Sequence, residues 1–423
     1  MKSFCVLKKL YKEIRKWIDY KYYKYISNDI REKVRNKKKI KILFFVMSVD
    51  MWKSNNLFKL LLEDSKFDPY ILPQLLQKNT KEQNERIQKT LRTYFKSMGF
   101  PYIDALDLNT GKVFDVIGFE PDIVFFSQPY DAGLVEHKIK SLWKHTLFAY
   151  IPYCINQELN PIFYTGLYQN ICWKYYCQFK LNKDYESTLL YNRGKNMVVV
   201  GHSLFEHIEE KKGKEICFWK DKEHSKIRLI WAPHHSILPS DELGYSNFLD
   251  ISEQMVDLAN CYKDLIEIAF KPHPILKEKL LFLDGWGPQR TENYYKFWQD
   301  SSNTILSEGT YVDLFMTSDA MIHDSSSFIC EYLYTRKPVM FLSKNPEKIR
   351  CNLNNLGKSC FDLHYKGGDI SDIKCFLNDV LIELNDPLKE SRDFFYSENL
   401  KQNLEISTSK LIYNDMLSFF ISK

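Results

Sequence analysis

Short apolar runs alternate with amphipathic helical segments along most of this chain, and that alternation limits the fold more than any other feature. A continuous apolar run of only a few residues is too short for a buried helix and suits a strand covered on both faces. Lys41–Met47 (KILFFVM), Tyr70–Leu72, Ile123–Phe126, Thr146–Ile151 and Met197–Val200 read as such strands in the first half. Asn56–Leu62 and Lys81–Met98 read as helices, the second closed by Gly99 with Pro101 soon after. An aromatic-rich region then runs to about Lys180, and Met197–Val200 leads through Gly201-His202-Ser203 into a helix. The second half keeps the rhythm. Its strands are Ile227–Trp231, Leu265–Phe270, Thr304–Leu306, Ala320–Ile322 and Pro338–Leu342. Its helices are Phe248–Ala259, Tyr311–Met316, Phe328–Tyr334 and a closing Ile373–Leu384. Strands and helices alternating at this length predict an α/β fold of parallel sheets with crossover helices. At 423 residues the chain exceeds one ordinary core, and the polar stretch Lys211–Lys226 is the best boundary between domains.

Charge separates a third segment. Residues 1–41 hold 15 Lys and Arg against 4 Asp and Glu, leaving 44 against 50 for the rest. The basic character belongs to an N-terminal arm and the body is mildly acidic, which argues against general nucleic-acid binding by the body. Leu10, Ile14, Ile18 and Tyr22 recur every fourth residue in the arm, with Leu7, Tyr11, Trp17 and Tyr25 on or beside that face. A basic amphipathic helix with aromatics suits the surface of an anionic membrane. A solvated helix packed on the body gives the same pattern, and Lys37-Lys38-Lys39 alone can attract RNA. No apolar run is long enough to span a bilayer, and the lysine-led start does not read as a secretory signal, so a cytoplasmic protein is expected. The ten cysteines are scattered, Cys172 and Cys177 being the closest pair, and read as small core residues of a reducing compartment.

Ligands of doubly wound sheets bind at the carboxyl ends of the strands. Two polar clusters fall there. In Lys271-Pro272-His273-Pro274 the prolines hold His273 just beyond a strand, where an imidazole can donate to a phosphate or carry a proton. It can equally be a turn residue. In His323-Asp324-Ser325-Ser326-Ser327 the serines stand at a strand-to-helix junction, which serves either as a plain N-cap or as an anion site. Glu331, a turn further on, can accept from ribose hydroxyls or simply face solvent. His234 and His235 are adjacent, and on a strand they point to opposite faces, which disfavours joint metal ligation. There is no GxGxxG, GxxxxGK[ST], HExxH or CxxC, and Asp122, Asp131, Asp319 and Asp324 all have structural explanations. Neither a metal nor a cofactor is expected.

Taken in order, KPHP, then Ser307-Glu308-Gly309-Thr310-Tyr311-Val312-Asp313-Leu314, then TSDAMIHDSSSFICEYLYTRKPVMFL, resembles the C-terminal lobe of the CDP-glycerol glycerophosphotransferase family, the teichoic-acid polymerase type. Ser318-Asp319, Ile322, Asp324, Ser326-Ser327 and Lys337-Pro338 match the family pattern, whereas His323 replaces a threonine and Ser325 a tyrosine. The resemblance covers roughly residues 227–345. It implies a GT-B-like architecture of two facing Rossmann-like domains. The arm would be 1–40, an acceptor domain 41–215 and a nucleotide-donor domain 216–423. It further implies His273 as catalytic residue, with Lys271, Asp324, Ser325, Ser326, Ser327 and Glu331 around the donor diphosphate and nucleotide. The family carries a histidine in a WHG-like loop of the N-terminal lobe. Here the corresponding stretch is TLFAYIPYCINQ, with Tyr150 and Tyr153 but no histidine, and His145 lies at the opposite end of the strand. The implied activity is transfer of glycerol phosphate, or a similar polyol phosphate, from a CDP-linked donor to a capsule or teichoic-acid-like polymer. The acceptor would be lipid-linked or an oligosaccharide, met at the inner membrane face through the arm. A sugar transferase of the same architecture and a scaffold with a degenerate site are the competing readings.

Overall fold

The computed structural model describes residues 2–160, 166–211, 218–238, 241, 246–309, 311–401 and 406–421, the side chains of 2–10, 210 and 211 excepted. The middle of the expected boundary Lys211–Lys226, part of the aromatic region before Lys180, and Thr310 lie outside the described residues. The chain forms two compact units. Unit 1 comprises Met1–Asn156, Asn160–Glu206 and Asn403–Lys423, and unit 2 comprises Gln157–Leu159 and His207–Gln402. The final segment thus belongs with the first unit, not with the expected domain 216–423. The reason is its apolar face: Ile412, Met416 and Phe419 are buried in the core of unit 1, with the Phe419 ring 4.7 Å from that of Trp173.

Unit 1 is built on a parallel sheet of β1 (Ile40–Val46), β2 (Phe67–Pro73), β3 (Ile123–Phe126), β4 (Leu147–Tyr150), β5 (Lys174–Cys177) and β6 (Met197–Val199), ordered β2-β1-β3-β4-β5-β6. Successive residues of one strand feed opposite cores. Ile42, Phe44 and Val46 join one cluster with Phe58 and Phe95, while Leu43 and Phe45 join another with Tyr150 and Tyr168. This is why these strands read as unbroken apolar runs. The arm is one helix, Lys2–Arg35. Its second half is part of unit 1, where Tyr23, Ser27, Ile30 and Val34 are buried. Tyr11, Ile14, Trp17, Ile18, Tyr22 and Tyr25 stay exposed. In the lysine run, Lys37 pairs with buried Asp122 and Lys39 with Asp68 at 3.4 Å, so part of its charge is already compensated.

Unit 2 holds a second parallel sheet of β7 (Ile227–Ala232), β8 (Ile266–Phe270), β9 (Thr304–Leu306), β10 (Ala320–His323), β11 (Val339–Leu342) and β12 (Tyr365–Gly367), ordered β12-β11-β10-β7-β8-β9. Counted within the unit, this is the 3-2-1-4-5-6 order of nucleotide-binding folds. Chain direction across the sheet reverses between β7 and β10, which pair from Leu229↔Ala320 to Ala232↔His323. Trp231, Phe248, Phe270 and Trp298 fill the core on one side. The expected closing helix is an α-helix Ile370–Cys375 that continues directly as a π-helix Phe376–Ile382, and further helices follow it. Among the described residues no helix is long and apolar enough to cross a membrane.

Candidate functional site

The reversal between β7 and β10 opens a crevice at their carboxyl ends, and the loops that leave β7, β8 and β10 converge there. Pro233-His234-His235 follows β7, Lys271-Pro272-His273 follows β8, and Asp324-Ser325-Ser326-Ser327 follows β10. Backbone bonds fix the first two loops together: the Lys271 amide donates to the Trp231 carbonyl at 2.8 Å and the His273 amide to that of Pro233 at 3.0 Å.

His273 is half-buried and caps the helix Pro274–Leu281, its Nδ1 accepting the Ile275 amide at 3.2 Å. Burial, then the neighbouring His235, Lys271 and Lys279, pull its pKa down to about 4. The His234 and His235 rings lie 5.0 Å and 4.2 Å from it, so the structure gathers three histidines. On strand alternation His234 and His235 would point to opposite faces. That alternation stops at Ala232, and after Pro233 both rings turn the same way.

Asp324 is buried, and its carboxylate accepts the amides of His234 and of Asn247, the latter at 3.0 Å. Burial pushes this carboxyl up to about 7 although the amide donors pull it down. Its expected place against a donor becomes a structural one: it fastens the β7 loop beneath the crevice. Ser325 is buried too, its carbonyl accepting from His323 Nδ1 at 3.0 Å, and His323 itself is enclosed in the core. Ser326 is half-buried; its side chain bonds the Glu158 carboxyl, which burial raises, and its carbonyl accepts from Gln157. Ser327 is exposed and stands at the start of the four-residue helix Phe328–Glu331 without a side-chain capping bond. The plain N-cap expected of the serines is therefore absent. The helix beyond them is also too short to bring a strong dipole.

Glu331 does not face solvent. It is buried and accepts from the Tyr311 hydroxyl at 2.7 Å. The Tyr311 ring lies 5.8 Å from Lys271 Nζ, which donates to the Gly309 carbonyl at 3.1 Å. Lys271, Tyr311 and Glu331 thus form one linked wall, with the buried Ser307 hydroxyl at the end of β9 unpartnered. In unit 1, β4 ends on Tyr150, which is locked in the core beside Tyr168 and Tyr175, and His145 precedes the strand. Beyond β4, the Tyr153 amide donates to the Ser127 carbonyl at 2.8 Å.

Comparison with known proteins gives one family match and a likeness of fold. Residues 219–350 match the model of the CDP-Glycerol:Poly(glycerophosphate) glycerophosphotransferase family, and that span holds the loops after β7, β8, β9 and β10 but neither Gln157–Glu158 nor the segments of unit 1. No curated protein sequence matches the chain. Among solved structures, wall teichoic acid polymerase TagF soaked with CDPG is similar over 97% of this chain and 99% of its own, at 12% identity and TM-score 0.55. The S. aureus MnaA–UDP co-structure covers 92% of this chain and 98% of its own, at 15% identity and TM-score 0.55. UDP-GlcNAc 2-epimerase from Neisseria meningitidis bound to UDP-GlcNAc covers 90% and 100%, at 14% identity and TM-score 0.55. At such identities the likeness is one of fold, and it makes the architecture GT-B-like over nearly the whole chain. The likeness to the CDP-Glycerol:Poly(glycerophosphate) glycerophosphotransferase family is carried by residues 219–350, less than half of the chain.

Proposed function

We propose that this protein moves glycerol phosphate from CDP-glycerol to a growing teichoic-acid-like surface polymer. The observation that carries the reading is the family match over the loops of the β7–β10 crevice. In the reaction an acceptor hydroxyl attacks the phosphorus bearing the glycerol. The P–O bond to CMP breaks, CMP leaves with the electron pair, and the hydroxyl proton passes to a base. His273, Ser326 and Ser327 are the side chains proposed to meet the donor diphosphate, with Lys271 adding positive charge behind them. Glu331 and Asp324 act one step removed, Glu331 by orienting Tyr311 and Asp324 by holding the β7 loop. The test is incubation with CDP-glycerol, UDP-sugars and CMP-sugars in turn, following nucleotide release. Release from a nucleotide sugar alone would replace this reading with a sugar transferase, and release from none would leave a scaffold.

A polymer of this kind grows on a lipid-linked or oligosaccharide acceptor, so we place the protein at the cytoplasmic face of the membrane. The exposed Trp17, Ile18 and Tyr22 of the first helix support that placement. So does a cavity of about 370 Å³ beside the same helix, lined by Lys24, Arg31, Lys174 and Lys195 among others, which suits an anionic headgroup.

A further inference from the structure

The three imidazoles after β7 and β8 form a tighter cluster than one donor contact requires. Ring centroids are 4.2 Å apart for His234–His235 and His235–His273, and 5.0 Å for His234–His273. One ring nitrogen from each lies within 4.8 Å of the other two. Such a group can take a cation or an anion, and the placement of its protons decides which. Nδ1 of His273 accepts the Ile275 amide and Nδ1 of His234 accepts the Ser236 amide, both at 3.2 Å. A neutral imidazole that accepts at Nδ1 carries its proton on Nε2, where it is a donor. A metal ligand needs the reverse, a bare coordinating nitrogen with the proton on the other. The surrounding charge agrees. Lys271 and Lys279 bias the cluster positive, while Asp241 is tied to Lys279 at 2.6 Å and Asp324 is turned to backbone amides. The Nδ1 of His235 is buried and unpartnered, which marks a place where a partner is missing.

We infer that His234, His235 and His273 together form an anion site that holds a phosphate of the diphosphate donor and takes up a proton as it does so. The inference rests on the CDP-glycerol reading and extends it to His234 and His235, which the resemblance itself did not assign. Burial and mutual repulsion hold His234 at about 3 and His273 at about 4, with His235 also lowered, so the empty cluster is neutral near pH 7. A phosphate against the rings favours the charged imidazole and raises these values. Between the empty and the occupied pKa, binding therefore strengthens as pH falls.

The experiment is titration calorimetry of the full chain with CDP-glycerol from about pH 8 to about pH 6, in buffers of different ionisation enthalpy. CDP-glycerol is the right probe because its diphosphate is esterified at both ends and does not titrate in this range. The expected result is tighter binding toward low pH with net proton uptake. His235→Asn and His235→Ala should each weaken binding about tenfold, as loss of a hydrogen bond to a charged group does, and flatten the pH dependence. Unchanged affinity and slope in a folded His235→Asn protein would overturn the inference and leave the donor reading standing. Absence of CDP-glycerol binding by the unaltered protein would remove both. Stoichiometric Zn²⁺ uptake that is lost in His235→Ala would overturn it in favour of a metal site.

Discussion

The Asp324 carboxylate and the Asn247 amide meet at 3.0 Å, and through this contact the loop after β10 grips the start of the helix Phe248–Cys261 as well as the β7 loop. A single buried acid thus ties both segments to the loop after β10. Its pKa of about 7 lies above the ordinary 3.8, so the native state keeps a proton that the unfolded state has released. The sign follows: this group's contribution is fully present below about pH 4 and is lost as pH rises to about 7. Asp324→Asn should destabilise the fold, and its penalty should shrink by about 1–3 kcal/mol between pH 5 and pH 7.5. Urea denaturation of both proteins at the two pH values measures it; a penalty independent of pH would show that Asp324 is ionised throughout.

His273→Ala removes both an imidazole and a helix cap, whereas His273→Asn keeps a cap acceptor for the Ile275 amide. Both variants should lose about 10²–10⁴-fold in CMP release from CDP-glycerol. Only the alanine should also lose stability, by about 0.5–2 kcal/mol. An asparagine variant as fast as the unaltered protein would reduce His273 to a cap.

Replacing Ser326 and Ser327 with alanine should weaken CDP-glycerol binding by about 1.5–3 kcal/mol for each hydrogen bond to the diphosphate. Ser327 makes no capping bond that its loss would break, so stability should barely move at that position. Calorimetry that finds the double variant binding normally would retire the serines as donor contacts.

Membrane attachment can be examined without cutting the chain. Removing the whole arm would strip Tyr23, Ile30 and Val34 from the core of unit 1, so a truncated protein would confound folding with binding. Trp17→Ser with Ile18→Ser touches only exposed side chains. This variant should co-sediment less with anionic liposomes, and the difference should fade in neutral lipid or high salt. Equal sedimentation of both proteins would take the first helix out of the mechanism.

The sheets were largely legible because their strands are apolar on both faces, and β3 and β9 fall where Ile123–Phe126 and Thr304–Leu306 had been expected. β5 was missed because Lys174–Cys177 continues directly from Cys172-Trp173 in an aromatic run with no turn residue to mark its start. β12 is three residues long and carries no pattern at all. In the site, the strand-end position of His273 could be read from its prolines. The inward turns of Asp324 and Glu331 could not, because their partners Asn247 and Tyr311 are 77 and 20 residues away. The histidine cluster was hidden for a different reason: strand periodicity ends at Ala232, three residues before His235.

The return of the helix Thr408–Ile421 to the first unit has a consequence for how the chain is made. On the ribosome, residues 207–402 emerge as one uninterrupted stretch and can collapse as soon as they are out. The earlier-made sheet must wait with an open flank until Ile412, Met416 and Phe419 arrive to close it and Asp415 meets Lys174 and Tyr176. The first unit to be translated is therefore the last to be finished, and during that interval its uncovered aromatic surface is the part of the nascent chain most in need of a chaperone.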